Sequence, residues 1–406
     1  MREALILDAI RTPFAKGKAG GQLSAVHPVD LLAHVLTALR ERNGLDGAPP
    51  DDVIAGCVGQ AGQQSRNIAR SATLAAGFPE TVPATTVDRM CGSSQQSTQF
   101  AAQAVMSEQQ DLVIACGVES MSRVPMRSAE SGQDPYREGL LQRYPNGLIR
   151  QGISAEIIAA RWGFTREQMD EYAVRSHRLA YQATTEGRFD REIVPVTAQQ
   201  YARGENGLLQ AAEVAEIRVD EGIRPGTSLE SLAKLSPAFV SDPAARDYPE
   251  IGWCVTAGNS SQISDGAAAL LIGSRAVADA LGLRPRARLH SFCVVGCDPL
   301  LMLTGVIPAT ENVLKRAGLT PKDIDYVEVN EAFAAVVLAW QQDTGFDWAK
   351  VNLNGGAIAL GHPLGASGAR LTTTLLNTLE HRGGRFGLQV MCENGGMANA
   401  TVIERL

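Results

Sequence analysis

The chain carries no excess of positive charge. Lys and Arg number 37 against 44 Asp and Glu, for a formal net charge of -7. That balance argues against a nucleic-acid ligand and against attraction to an anionic membrane. An anionic small molecule would need a local cluster of cations. Long apolar runs are also missing. The longest are broken by Gly and polar residues and are too short to span a bilayer. The start, Met1-Arg2-Glu3-Ala4-Leu5-Ile6-Leu7, runs straight into a strand-like segment. It has neither a secretory apolar core nor an Arg/Ser-rich transit pattern, so the expected location is the cytoplasm. A disulfide framework is absent too. The seven cysteines (Cys57, Cys91, Cys116, Cys254, Cys293, Cys297, Cys392) are odd in number and widely spaced. Cys293 and Cys297 are the one near pair, and no second pair or close histidine completes a zinc set, so no metal site is expected.

What is present describes a globular protein of two or three domains. The length is 406 residues, with 45% hydrophobic and 20% charged residues. The 40 glycines imply many tight turns and close backbone approaches. Leu5 to Ile10 and Asp52 to Val58 read as strands, Val29 to Leu39 and Asn67 to Ala76 as helices. Thr85 to Val87 ends a short strand, a helix begins near Ser93 or Ser94, and Asp111 to Val118 is a near-continuous apolar strand. Such strands belong to sheets covered on both faces, and the alternation points to a layered α/β domain. From 119 to 251 the pattern changes to polar, Gly- and Pro-containing stretches with helices at Ser154–Trp162, Thr165–Thr185 and Leu229–Lys234. Thr165 with Gln168 has the form of a capping box. This region reads as an insertion covering a ligand site.

Beyond Arg286 the order of the first half recurs. A helix over Asn312–Ala317 precedes a strand at Asp325–Val329. A glycine-rich turn around His362 and a helix to Leu379 stand where the Cys91 turn and its helix stood. Phe386–Cys392 then matches Leu112–Val118. The expected division is residues 1–118 with 252–278 as one domain, 119–251 as the insertion, and 279–406 as the second domain.

Cys91 sits at a strand-to-helix turn, where unpaired N–H groups and the helix dipole favour thiolate. Alone it reads as one more buried thiol. Asn330, closing a strand in Val329-Asn330-Glu331-Ala332-Phe333, reads alone as a helix cap. His362, in Gly361-His362-Pro363-Leu364-Gly365, reads alone as a structural histidine, and Cys392 as a core thiol. Together they place two thiols, an imidazole and a carboxamide at equivalent turns of two related halves.

These motifs make the chain resemble the thiolases, CoA-dependent acyltransferases acting on 3-ketoacyl-CoA. The resemblance runs from Ala9-Ile10-Arg11-Thr12-Pro13-Phe14 through Val118-Glu119-Ser120-Met121-Ser122, Arg224-Pro225-Gly226-Thr227-Ser228 and Thr256-Ala257-Gly258-Asn259-Ser260-Ser261 to the Asn330, His362 and Cys392 motifs. It implies a five-layered αβαβα fold of two related halves. It also implies Cys91 as nucleophile, His362 as its base and Cys392 as a second acid–base group. Asn330 and His362 would form one oxyanion site, and the backbone N–H groups of Cys91 and Asn394 the other. Arg224, Ser231 and Ser261 would line CoA, and Gln151 and Met302 the acyl pocket. CoA would be a substrate, with no permanently bound cofactor, and acyl-CoA thioesters the other ligands. A homodimer or homotetramer is implied.

The chain departs from the family pattern at four places. Ser94 and Asn394 stand where glycines are usual, and Asp88 where asparagine is. Arg150 and Gln151 replace the His-Met pair of acetoacetyl-CoA-forming members. With Gln262, this favours thiolytic cleavage of a longer or bulkier 3-ketoacyl-CoA. Acetoacetyl-CoA formation is one alternative, a non-catalytic acyl-CoA-binding relative another. A decarboxylating ketoacyl synthase would carry two histidines where Asn330 and Cys392 stand.

Overall fold

A computed structural model describes residues 2–145, 147–204 and 207–406. The first strand, β1 (Leu5–Arg11), is buried at every position and is followed by the two-residue β2 (Ala15–Lys16). Helix α1 (Pro28–Arg42) starts with Pro28 in its first turn, where a missing N–H costs nothing. Then come β3 (Asp52–Gly56), α2 (Ile68–Ala75), β4 (Ala84–Val87), α3 (Ser93–Met106) and β5 (Leu112–Ser120). β4, β3 and β5 run parallel, with β3 and β5 almost wholly buried and β4 partly exposed.

The region after β5 holds α4 (Glu138–Arg143), α5 (Gln151–Trp162) and α6 (Arg166–Thr185). The capping box of Thr165 and Gln168 is present at the start of α6. A hairpin of β6 (Val196–Arg203) and β7 (Leu209–Ile217) follows, then the short α7 (Leu229–Ala233). Nothing in the local residue pattern marks this hairpin. Most of its side chains are exposed, so it lacks the alternation of a half-buried strand.

The remaining elements are β8 (Ser264–Gly273), α8 (Arg275–Ala280), β9 (Ala287–Gly296), α9 (Val306–Ala317), β10 (Tyr326–Val329), α10 (Ala334–Thr344), α11 (Ala357–Leu360), α12 (Leu364–Arg382), β11 (Phe386–Glu393) and β12 (Met397–Arg405). Helix α9 starts six residues before the expected Asn312, because Pro308 falls in its first turn and does not interrupt it. Helix α5 likewise starts at Gln151 rather than Ser154.

The sheet runs β4-β3-β5-β8-β1-β9-β12-β11-β10, with β2 on β8. The two halves meet where β1 touches β9 through only two residue pairs, Leu5–Arg288 and Ile6–Ala287. On either side the pattern is the same. β8 is antiparallel to β5 and β1 antiparallel to β8, while β12 is antiparallel to β11 and β9 antiparallel to β12. β10 is parallel to β11, and Val351 bridges Val327 in the place that β4 takes beside β3.

Five layers result. Helices α1 and α2 cover the outer face of the first half. Helices α3 and α12 lie between the two halves, and α9 and α10 lie on the far face of the second. Helix α12 is buried continuously from Gly365 to Leu379, as a helix in a central layer must be. No described helix is long and apolar enough to cross a membrane.

The central layer is close-packed. A Cβ on Gly368 of α12 would overlap the backbone N of Gln95 on α3, and one on Gly365 the carbonyl of Val118. Glycine is therefore required at both positions. Ser94 fills part of this crossing. Its Oγ accepts from Ala369 N at 2.9 Å, so it joins the two helix starts and does not point at the Cys91 thiol.

Candidate active site

Each of the four predicted side chains sits at the end of a regular element, and the crossing of α3 and α12 brings those ends together. Cys91 precedes α3, with Met90 before it at φ 48°. That strained turn is held by Asp88, whose Oδ1 accepts from Met90 N at 2.7 Å. An aspartate thus does the accepting that the usual asparagine side chain could do. Cys91 is 4% exposed and packs with Leu364, Leu371 and Met391. Burial pushes its thiol up to about 12. The amide of Gln151, with Nε2 4.0 Å from Sγ, acts in the opposite direction.

His362 lies in the turn before α12. Its backbone N donates to Gln262 O at 3.0 Å and to Ser264 Oγ at 3.1 Å. Its Nδ1 is 2.6 Å from Ser367 Oγ, and that hydroxyl donates to Pro363 O at 2.9 Å. With the hydroxyl proton committed to a carbonyl, Nδ1 is the protonated nitrogen and Nε2 carries the lone pair. Burial, with the Arg370 cation nearby, holds the imidazole down at about 3, so the ring is neutral.

Asn330 follows β10, and its Nδ2 lies 3.4 Å from His362 Nε2. Its Oδ1 is buried without a hydrogen bond from the protein. The same amide acts on Cys392, the penultimate residue of β11. Burial raises the Cys392 thiol, and Cys91 raises it further, while Asn330 opposes the rise. Asn330 therefore stands between His362 and Cys392, and Cys91 is close enough to act electrostatically on the Cys392 thiol.

Asn394 follows β11. The left-handed conformations of this turn fall on Gly395 and Gly396, at φ 81° and 82°, and not on Asn394. The Asn394 side chain folds back to accept from Gly395 N at 3.0 Å. A side chain at 394 is therefore compatible with the turn.

Arg224 is exposed, and its guanidinium lies 3.3 Å from Gln262 Oε1, next to Ser261. Its backbone N donates to the buried His177 Nδ1 at 3.2 Å. Ser231 is bonded within its own turn, to Ser228, and shares no hydrogen bond with Arg224 or Ser261. Met302 is buried in the turn Met302–Gly305, which packs against α5, the helix that Gln151 begins. Beside this region is a cavity of about 290 Å³, lined by residues that include Tyr144, Leu148, Ile149, Tyr248, Pro299 and Leu300.

Three further residues build the site, and their roles are not legible in the sequence. Ser367 is five residues beyond His362, and only the folded turn shows that it sets the tautomer. Glu331 accepts from Tyr172 at 2.8 Å, Ser176 at 2.7 Å and Ile358 N at 3.1 Å, tying α6 to the His362 loop. Glu119 accepts from Val58 N, Gly59 N and Gly365 N and ties the first half to the start of α12. Position in the 330 and 119 motifs was the available signal for the last two.

The family model for the thiolase N-terminal domain matches residues 4–276, and that for the thiolase C-terminal domain matches residues 283–405. The chain belongs to the thiolase family. It is 48% identical to the steroid 3-ketoacyl-CoA thiolase FadA6 of Mycobacterium tuberculosis, over all of this chain and 95% of that protein. It is 45% identical to a 3-ketoacyl-CoA thiolase of Escherichia coli O1:K1 / APEC over the full length of both. The crystal structure of human mitochondrial 3-ketoacyl-CoA thiolase superposes with a TM-score of 0.86 at 34% identity, covering 100% of this chain and 99% of that one. The five layers described above are those of a thiolase fold.

Proposed function

We propose that this thiolase cleaves a 3-ketoacyl-CoA with CoA, giving acetyl-CoA and an acyl-CoA shortened by two carbons. The carrying observation is that His362, Asn330, Cys392 and Cys91 are all buried, with Asn330 beside both His362 and Cys392 and with Cys91 acting on the Cys392 thiol. Cys91 passes its proton to His362 Nε2, the free lone pair, and its sulfur attacks the 3-keto carbon. The C2–C3 bond breaks. Cys392 gives its proton to the acetyl-CoA carbanion, leaving an acyl thioester on Cys91. Cys392, now a thiolate, takes the proton of the incoming CoA thiol. The CoA sulfur displaces Cys91, which recovers its proton from His362. A thiol suits the Cys392 role because its ordinary pKa of about 8.5 is close to that of the thiol it exchanges with.

Two oxygens gain charge along this path. His362 and a water on Asn330 would serve one, and the N–H groups of Cys91 and Asn394 the other. The orphaned Oδ1 of Asn330 supports the first. Arg224, Ser231 and Ser261 would hold CoA; the exposed Arg224 cation supplies local positive charge in an acidic chain. Gln151 and Met302 would begin the acyl pocket, and the neighbouring cavity gives room for a chain longer than acetoacetyl. No permanently bound cofactor takes part. The insertion, residues 119–251, would cover the CoA site between the domains at 1–118 with 252–278 and at 279–406. We place the protein in the cytoplasm, where its seven unpaired thiols stay reduced.

The test follows CoA-dependent loss of 3-ketoacyl-CoA absorbance over a range of acyl lengths, with Cys91→Ser as control. Turnover that needs Cys91 and extends beyond acetoacetyl-CoA is expected. Absence of turnover on every substrate would refute the proposal, and turnover confined to acetoacetyl-CoA would refute the longer acyl chain.

A further inference from the structure

The side chains packed around the Cys91 sulfur are mostly apolar, namely Leu364, Leu371 and Met391. Two carboxyl groups nearby, Glu393 and Asp88, also oppose ionisation of the thiol. A thiolate formed there needs a donor. A neutral side-chain donor faces it, the Gln151 amide, with Nε2 4.0 Å from Sγ. Gln151 is the first residue of α5 and is well placed to stay there. The next residue, Gly152, lies against the Phe239 ring so closely that a Cβ would overlap it. The helix start is fixed by Ile153 N and Ser154 N donating to Arg150 O at 3.0 and 3.2 Å.

We propose that Gln151 acts on the nucleophile itself, its side-chain amide donating a hydrogen bond to the Cys91 sulfur and stabilising the attacking thiolate. The inference rests on Cys91 being the nucleophile and goes beyond a lining role in the acyl pocket. The Cys91 proton still goes to His362, and Gln151 keeps both its amide protons throughout. A neutral donor suits this position. It strengthens as sulfur becomes charged, and leaves no ion behind when the sulfur is acylated.

The experiment measures alkylation of Cys91 by iodoacetamide from pH 6 to 10, followed at the Cys91 peptide by mass spectrometry, together with kcat and KM. Gln151→Leu and the longer Gln151→Met both remove the donor, and a melting curve checks that each is folded. Cys91 alkylation at pH 8 should slow about tenfold, equal to a rise of about one pKa unit. The value of kcat should fall with it, and KM should move less than about threefold. Gln151→Glu should slow alkylation further, because a carboxylate would face the thiolate. Alkylation curves for both uncharged variants that superpose on the wild type, with only KM altered, would overturn the proposal and leave Gln151 as pocket wall. Failure of Cys91 as nucleophile reads out separately, as the absence of an acyl adduct on the Cys91 peptide of the wild-type protein given substrate.

Discussion

One hydroxyl orients His362 for the role of base proposed above. Ser367 Oγ spends its own proton on Pro363 O, so it can only accept from Nδ1, and the free lone pair is left on Nε2 beside Asn330. Ser367→Ala should therefore lower kcat by about ten- to a hundredfold with little change in KM, because the tautomer loses its bias. Asn330→Ala should cost about 10²–10³ in kcat, the usual loss of one oxyanion donor. Steady-state kinetics on a single 3-ketoacyl-CoA checks both. Glu393 poses a different question at this scale. Its carboxyl is buried against Gly92, neither oxygen has a partner, and burial pushes it up to about 8. The folded protein then holds a proton that the unfolded chain releases above its ordinary value near 4.5, so this group makes stability fall as pH rises from about 4.5 to about 8. Glu393→Gln should thus melt higher than the wild type at pH 8, by an amount worth about 1–3 kcal/mol, and equally at pH 4. A pair of melting series across that range decides it.

Helix placement turns on a few polar pins and missing side chains. Glu331 receives hydrogen bonds from both α6 and the backbone of α11. Glu331→Gln replaces an acceptor by a donor on one side and should destabilise the fold by about 2–4 kcal/mol. The same change should raise KM for CoA, because α6 also holds His177 against Arg224 N; thermal denaturation and kinetics test the two parts. Much of this level was legible beforehand. The capping box at Thr165, the apolar strand at Leu112 and the turns at Cys91 and His362 all depend on local residue order, and each was read from it. The hairpin Val196–Ile217 was not, since a two-stranded ribbon with exposed faces carries no period-2 signal. Nor were the pins themselves. Ser367, Glu331 and Glu119 act across distances that only the packed layers define, and an isolated Ser or Glu has many satisfied roles open to it. Ser94 and Asn394 illustrate the converse. From their types both could have crowded the thiol, yet one bonds to the start of α12 and the other lies just before the positive-φ glycines.

At the scale of the molecule, the two halves are repeats that share a middle. Helices α3 and α12 belong to different halves but cross with no room for a methyl group at Gly368. Gly368→Ala should disturb the Cys91 and His362 turns at once, and we expect a protein that is largely insoluble or loses its cooperative melt. The sheet ends in β4, whose outer edge has no partner strand among the described residues. Open edges of this kind are usually covered, and we expect the protein to assemble as a homodimer or homotetramer. Light scattering coupled to size exclusion should report two or four chains per particle. The repeat was legible as an order of elements, whereas the placement of β1 in the centre of the sheet was not, because strand order is not written in local pattern.

That central placement of β1 governs how the protein must be made. The strand, at residues 5–11, is translated well before its partners β8, at 264–273, and β9, at 287–296. At about 5–20 residues per second, the ribosome needs roughly ten to fifty seconds to supply them. During that interval β1 lacks both of its strand partners, so its apolar residues must be held or buried elsewhere. Ribosome-stalled chains ending before residue 264 should expose β1 to protease, and chains long enough to release residue 296 from the exit tunnel should protect it.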